Sequence, residues 1–153
     1  MPRTGARRRP VGRAGRGRRF VILASQFHEP LSRALIDGAV RALHRAGAAA
    51  DAIHVFWVPG AFELPVVAAR LVRRTPRPDA VIALGALIKG DTPQYGYLSE
   101  ATLQGLMLAG VLSGVPVTSG VVTAQSWKLA RARASGRLNR GREAAEAAWE
   151  MAR

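Results

Sequence analysis

The chain has no cysteine in 153 residues. That excludes a disulfide framework, a thiolate metal site and a cysteine nucleophile, and it fits a reducing compartment. Nothing approaches 18 consecutive apolar residues, so no membrane span is expected. The first residues, "MPRTGARRRPVGRAGRGRR", lack the apolar core of a secretory signal and contain no serine to suggest an organelle transit peptide, so the expected location is cytoplasmic. Acidic residues are scarce, with 10 Asp and Glu against 23 Lys and Arg. What the chain does have is apolar content: 48% hydrophobic residues are enough for one ordinary domain with a core of its own.

Much of the positive charge is local. The first 19 residues hold eight arginines and no acid, so they carry 8 of the net 13 positive charges and leave about 5 for the rest. Arginine mixed with glycine and proline cannot bury enough apolar surface to order itself, so residues 1–18 read as a solvated arm ahead of a domain at 19–153. Clustered cations could grip nucleic acid or another polyanion, or the arm could be an incidental extension. It has no interleaved aromatics on which bases could stack, which argues against specific nucleic-acid recognition. Its "GRAGRG" precedes the first strand instead of following it, so it is no dinucleotide fingerprint.

From residue 19 the hydrophobic period alternates. "RFVILAS" (19–25) is a continuous apolar run of the kind buried on both faces of a parallel sheet. In 30–46, Leu31, Ala34, Leu35, Ala39 and Leu43 recur at helical spacing behind Pro30. "AIHVFWV" (52–58) is a second strand, "ELPVVAARLVRR" (63–74) a second helix with Pro65 in its first turn, and "PDAVIALG" (78–85) a third strand. A helix reaching about Leu112 follows, then a strand in 114–123, a helix across "QSWKLARARA" and a last one across "REAAEAAWEM". No internal repeat is visible. Strands separated by helices imply right-handed crossovers, so the predicted class is α/β: a three-layer α/β/α sandwich around a four-stranded parallel sheet.

In such sheets ligands bind beyond the carboxyl ends of the strands, where helix N-termini present free N–H groups. The informative segments are therefore "QFHEP" (26–30), "PGAFELP" (59–65), "GALIKGDTPQY" (85–95) and "SGVVTAQ" (119–125). They offer aromatic rings, a carboxylate and a glycine-rich cradle, which suits a flat polar ligand together with an anion. Gly85 to Thr92 differs from a nucleotide-binding P-loop by carrying Asp91 where that motif needs lysine. Nothing in the pattern calls for a metal ion or an organic cofactor.

"FHEPLSRALIDGA", "VPGAFELPVVAARL", "DAVIALGALIKGDTPQYGYLSEATLQGL" and "GVPVTSGVVT", with "ARARA" and "NRG" after it, resemble the lumazine synthase family. The resemblance covers roughly residues 19–152. It implies a flavodoxin-like fold and formation of 6,7-dimethyl-8-ribityllumazine, the penultimate step to riboflavin, from 5-amino-6-(D-ribitylamino)uracil and 3,4-dihydroxy-2-butanone 4-phosphate. Self-association is implied as well, into pentamers or a 60-subunit shell, because a site of this kind is shared by neighbouring chains.

By the same resemblance Phe27 stacks on the pyrimidine, the alternative by residue type alone being a place in the core. Ala61, Phe62 and Glu63 hold the ring and ribityl chain, where Glu63 alone could instead be a partner for a helix dipole. Ala86, Leu87 and Ile88 meet the uracil edge through main chain. The backbone N–H groups of Asp91 and Thr92 cradle the phosphate, with Thr92 suited to cap the following helix, Pro93 to begin it and the Asp91 carboxylate turned away. Ser119 and Arg133 come from a neighbouring chain, Arg133 pairing with the phosphate unless it is one more solvated cation; Arg140 is a second candidate.

The departures are as informative. The family loop reads T-P-H-[FY]-D-Y with the histidine transferring protons, whereas this chain has "TPQYGY", placing Gln94 at that position and Gly96 at the acid. Gln cannot transfer a proton at neutral pH. His28, beside Phe27, is a substitute base or a polar rim residue; His44 and His54 fall on the first helix and second strand. Ser119 stands where a larger apolar residue is frequent. A catalytically impaired relative that binds a flavin-like ligand or builds a shell is thus one alternative, and a polyanion-binding assembly worked by the arginine arm another.

Overall fold

The computed structural model describes residues 17–152. The arginine arm read at 1–18 therefore falls outside the described residues except for its last two. Four strands, β1 (Phe20–Ser25), β2 (Ile53–Val58), β3 (Ala80–Ile88) and β4 (Val117–Ala124), form one parallel sheet in the order β2-β1-β3-β4. Among the described residues five α-helices accompany them, one in each connection and two after β4: α1 (Glu29–Ala46), α2 (Leu64–Leu71), α3 (Gln94–Ser113), α4 (Trp127–Arg133) and α5 (Arg140–Met151). Alternate β1 residues divide between two cores. Phe20, Ile22 and Ala24 pack with α1, α4 and α5, while Val21 and Leu23 pack with α2 and α3. This is the three-layer α/β sandwich that the hydrophobic periods predict.

Several boundaries differ from the sequence reading, most consequentially those of β3 and α3. β3 does not stop at Gly85 but runs on to Ile88, so Ala86, Leu87 and Ile88 are strand residues and not loop. Glycine there is no turn signal: a Cβ at Gly85 would collide with the Ser25 hydroxyl and lie 3.2 Å from Ser25 Cβ, so the position is closed to side chains by its neighbouring strand. β4 remains paired along the whole extension, and Lys89 N donates to Ala124 O at 2.9 Å just beyond it. Pro93, not Thr92, occupies the N-cap of α3; the Thr92 hydroxyl lies 3.4 Å from Gln94 N. α2 ends at Leu71, short of the predicted Arg74.

The caps explain the other ends. Gly114, at φ 76°, closes α3 with its N–H on Gly110 O, the left-handed stop that glycine favours. Ser126 caps α4 by accepting from Leu129 N at 3.2 Å, and Asn139 caps α5 by accepting from Arg142 N at 3.1 Å. At the start of the described chain, the Arg18 guanidinium lies 4.5 Å over the Trp149 ring, which in turn stacks on Phe20 at 5.6 Å.

One helix is apolar on more than its inner side. α3 buries Thr102, Leu106 and Ala109, yet Met107, Val111 and Leu112 are each about 70% exposed or more. A helix that is hydrophobic all round is one that expects cover on its outer side as well. Among the described residues no helix is long and apolar enough to cross a membrane.

Candidate functional site

A cleft of about 520 Å³ opens at the carboxyl ends of β1, β2 and β3. Its position follows from strand order: β1 sends its connection toward β2 on one side and β3 lies on the other, so the flanking loops part and leave a crevice. Its walls are Phe27 and His28 after β1, Gly60 to Glu63 after β2, Ala86 to Ile88 at the end of β3, Gly90 and Thr92 beyond it, and Gln94, Tyr95 and Leu98 on α3.

Phe27 is 67% exposed, which rules out a role as core filler. Its backbone is nonetheless fixed, since its N–H donates to Pro59 O at 3.0 Å and Gln26 N donates to Val58 O at 2.8 Å. Phe62 is also exposed, so two phenylalanine rings border one crevice. Glu63 is the last residue of the 3-10 turn Ala61–Glu63 and the N-cap of α2, without a side-chain cap bond. Its carboxylate folds toward Gly60, where an added Cβ would lie 3.0 Å from Oε2. Lining the cleft, this carboxylate is available as a hydrogen-bond acceptor.

Lys89 to Gln94 is exposed throughout, and the amides of Gly90, Asp91 and Thr92 find no acceptor among the described residues. Gly90 and Thr92 line the cleft while Asp91, between them, does not, so unpaired N–H groups and the N-terminus of a 20-residue helix meet at one end of the crevice. That is a favourable position for an anion.

His28 has the one positive φ among the described non-glycine residues, 59° with ψ 49°. A left-handed residue other than glycine costs on the order of 1–3 kcal/mol and persists where its surroundings over-determine it. They do so here. The His28 carbonyl accepts from both Leu31 N and Ser32 N, at 3.0 and 3.2 Å, and the imidazole stands edge-on between Phe27 (4.6 Å) and Trp127 (5.3 Å). Burial holds its pKa below the ordinary 6.5 by penalising the cation, so it is neutral at pH 7.

A pH dependence follows. The unfolded chain takes up a proton on His28 near pH 6.5, which the folded site resists, so the folded state loses stability as pH falls through 6.5 toward the depressed value and is unaffected above it. Replacing His28 with Asn, which tolerates the left-handed conformation but does not titrate, removes this contribution. Melting temperatures between pH 5 and 8 should fall less on the acid side for His28→Asn than for the wild type; parallel curves would disprove the assignment.

Two expected site residues lie away from the cleft. Ser119 is in the first half of β4, opposite Ala83, and lines a separate apolar cavity with Met107, Val111 and Met151. Arg133 is exposed at the last position of α4. Arg140 is engaged with Glu143 at 3.1 Å. Conversely, Tyr95 and Leu98 line the cleft without having been singled out, although with Gln94 they are the second, fifth and first residues of a helix that begins there. Trp127 was also missed, since only the packing of α4 brings it to His28.

Residues 17–153 match the sequence model of 6,7-dimethyl-8-ribityllumazine synthase. The curated 6,7-dimethyl-8-ribityllumazine synthase of Gemmatimonas aurantiaca is 47% identical over 138 residues, covering 90% of this chain and 84% of that protein. Its counterpart in Thermus thermophilus is 42% identical over 139 residues, covering 90% and 88%. With the family model spanning the whole described domain and relatives this similar along their length, the chain belongs to the 6,7-dimethyl-8-ribityllumazine synthase family.

Proposed function

We propose that the protein condenses 5-amino-6-(D-ribitylamino)uracil with 3,4-dihydroxy-2-butanone 4-phosphate to give 6,7-dimethyl-8-ribityllumazine. The observation that carries this is the convergence of Phe27, the Ala61 to Glu63 turn, the Ala86 to Ile88 strand end and the unpaired amides of Gly90 and Thr92 on one cleft. In this reading Phe27 stacks on the pyrimidine, Glu63 accepts from ribityl hydroxyls, and the strand end meets the uracil edge. Asp91 and Thr92 receive the phosphate through their amides.

The substrate amine adds to the ketone and loses water, phosphate departs, and the second nitrogen closes the ring with loss of another water. No oxidant is required. Holding the two partners in register can contribute about 7–11 kcal/mol, so alignment alone supplies much of the rate. Gln94 and His28 both line the cleft and are the candidates for proton handling, and of the two only neutral His28 can accept a proton.

The site is completed by a second copy, whose Ser119 and Arg133 enter from across the boundary. The outward apolar row of α3, Met107, Val111 and Leu112, is consistent with self-association, for which pentamers or a 60-subunit shell are the expected forms. The division into an arm at 1–18 and a catalytic domain at 19–153 belongs to the same reading, with Arg18 on Trp149 as the point where the arm meets the domain.

Fluorescent lumazine and inorganic phosphate should appear in equal amounts when both substrates are supplied. Arg133→Ala should raise the KM for the butanone phosphate by about 10-fold or more, the scale of a hydrogen bond to a charged group, and leave the KM for the aminouracil in place. Absence of product together with absence of binding for either substrate would refute the reading.

A further inference from the structure

We propose that Trp127 is a positioning residue for the aminouracil subsite: its indole, acting through the His28 imidazole, sets the orientation of the Phe27 ring over the cleft. The inference rests on the functional reading above, because it assigns Phe27 the pyrimidine.

Three rings form a continuous edge-to-face series. Phe27 and His28 have centroids 4.6 Å apart at 65°, and His28 and Trp127 are 5.3 Å apart at 63°. Both separations and both angles fall in the favourable T-shaped range. Phe27 is so exposed that little else restrains its side chain, and among the described residues His28 is the ring it touches. The backbone around them is already set by Phe27 N on Pro59 O and by the two amides on His28 O. What remains free is side-chain rotation, and Trp127 acts on that freedom.

Trp127 is not there as core filling. It is 42% exposed, the first residue of α4, held in place by the Ser126 cap. It also borders a second cavity with Pro30, Leu31, Ala34 and Arg131, between α1 and α4. The indole therefore touches the substrate cleft's aromatic wall through His28 and also lines the cavity between α1 and α4. His28, whose backbone is held in the left-handed region, is the ring that joins Phe27 to Trp127. A ring held in its bound orientation before the ligand arrives loses less freedom on binding, which appears as affinity.

The test uses the full-length protein and 5-amino-6-(D-ribitylamino)uracil alone, titrated calorimetrically, followed by steady-state kinetics with both substrates. Trp127→Ala should weaken aminouracil binding and raise its KM by about 3- to 10-fold, the scale of one aromatic pair, with the KM for the butanone phosphate unchanged. Trp127→Phe, which restores an edge-to-face partner, should recover most of the loss. Equal binding by wild type and Trp127→Ala would overturn the inference while leaving the function intact. So would a parallel rise in both KM values together with a lowered melting temperature, which marks a merely structural role. A wild-type protein that does not bind the aminouracil would instead remove the functional reading, and this inference with it.

Discussion

Gln94→His should raise kcat by about 10²-fold or more while changing either KM little. The side chain stands on the first residue of α3 and lines the cleft, so a replacement there reaches the same space. Glutamine can donate and accept hydrogen bonds but cannot carry a proton between atoms at neutral pH. An imidazole can, and a positioned general acid or base is typically worth 10²- to 10⁴-fold. The helix N-terminus disfavours a cation beside it, which keeps the new histidine in its basic form near neutrality. The pH profile of kcat should accordingly gain a limb below about pH 6.5, the ordinary histidine value, from the new imidazole. Gly96, where an added Cβ would meet nothing within 4 Å, leaves room for the acid that accompanies the family histidine, so Gly96→Asp can be combined with it without crowding. An unchanged kcat in an otherwise active Gln94→His protein would mean that proton transfer is managed elsewhere, with His28 the next residue to replace.

What could be read in the sequence was whatever depends on neighbours a few residues away. The apolar run of β1 and the three-and-four spacing of α1 are local patterns, and both elements fall within a residue of their predicted positions. Phe27, Ala61, Phe62, Glu63 and Thr92 were legible as lining residues because each follows a strand, and strand ends are where parallel sheets open. Long-range packing was not legible. Gly85 resembles a turn in sequence, but its reason for being glycine is Ser25 on the adjacent strand. Trp127 reads as one more residue of a short basic helix until α4 is placed beside the start of α1. Asn139 looks like part of a glycine- and arginine-rich loop, yet it is buried: its Nδ2 donates to Ala34 O at 3.1 Å and Ala134 O at 2.9 Å. Ser119 and Arg133 illustrate the opposite limit, since only resemblance assigns them to a site that their own chain keeps them out of.

Gly141→Ala should lower the melting temperature by about 10 °C, and Gly96→Ala should not, although both glycines lie in helices. At Gly141 the backbones of α5 and α1 are in contact: an added Cβ would overlap the Leu35 carbonyl oxygen and lie 2.8 Å from its carbon. Leu35 is fully buried in the core between α1 and the sheet, so it cannot move aside cheaply. The helices must separate instead, and the Asn139 bonds that tie α5 to Ala34 and Ala134 lengthen with them. Over-packing of this kind costs about 1–3 kcal/mol, and stranding a buried polar group adds about 1–3 kcal/mol. The gain from replacing glycine by alanine in a helix, about 1 kcal/mol, offsets only part. A net loss of roughly 3 kcal/mol corresponds to about 6–12 °C in a domain of this size. At Gly96 there is no backbone to collide with, so the helix-propensity gain stands alone and the sign reverses. Thermal unfolding of the two single variants beside the wild type decides the matter: a Gly141→Ala protein melting within about 2 °C of the wild type would show that α5 can shift on α1 without loss, contrary to the packing described.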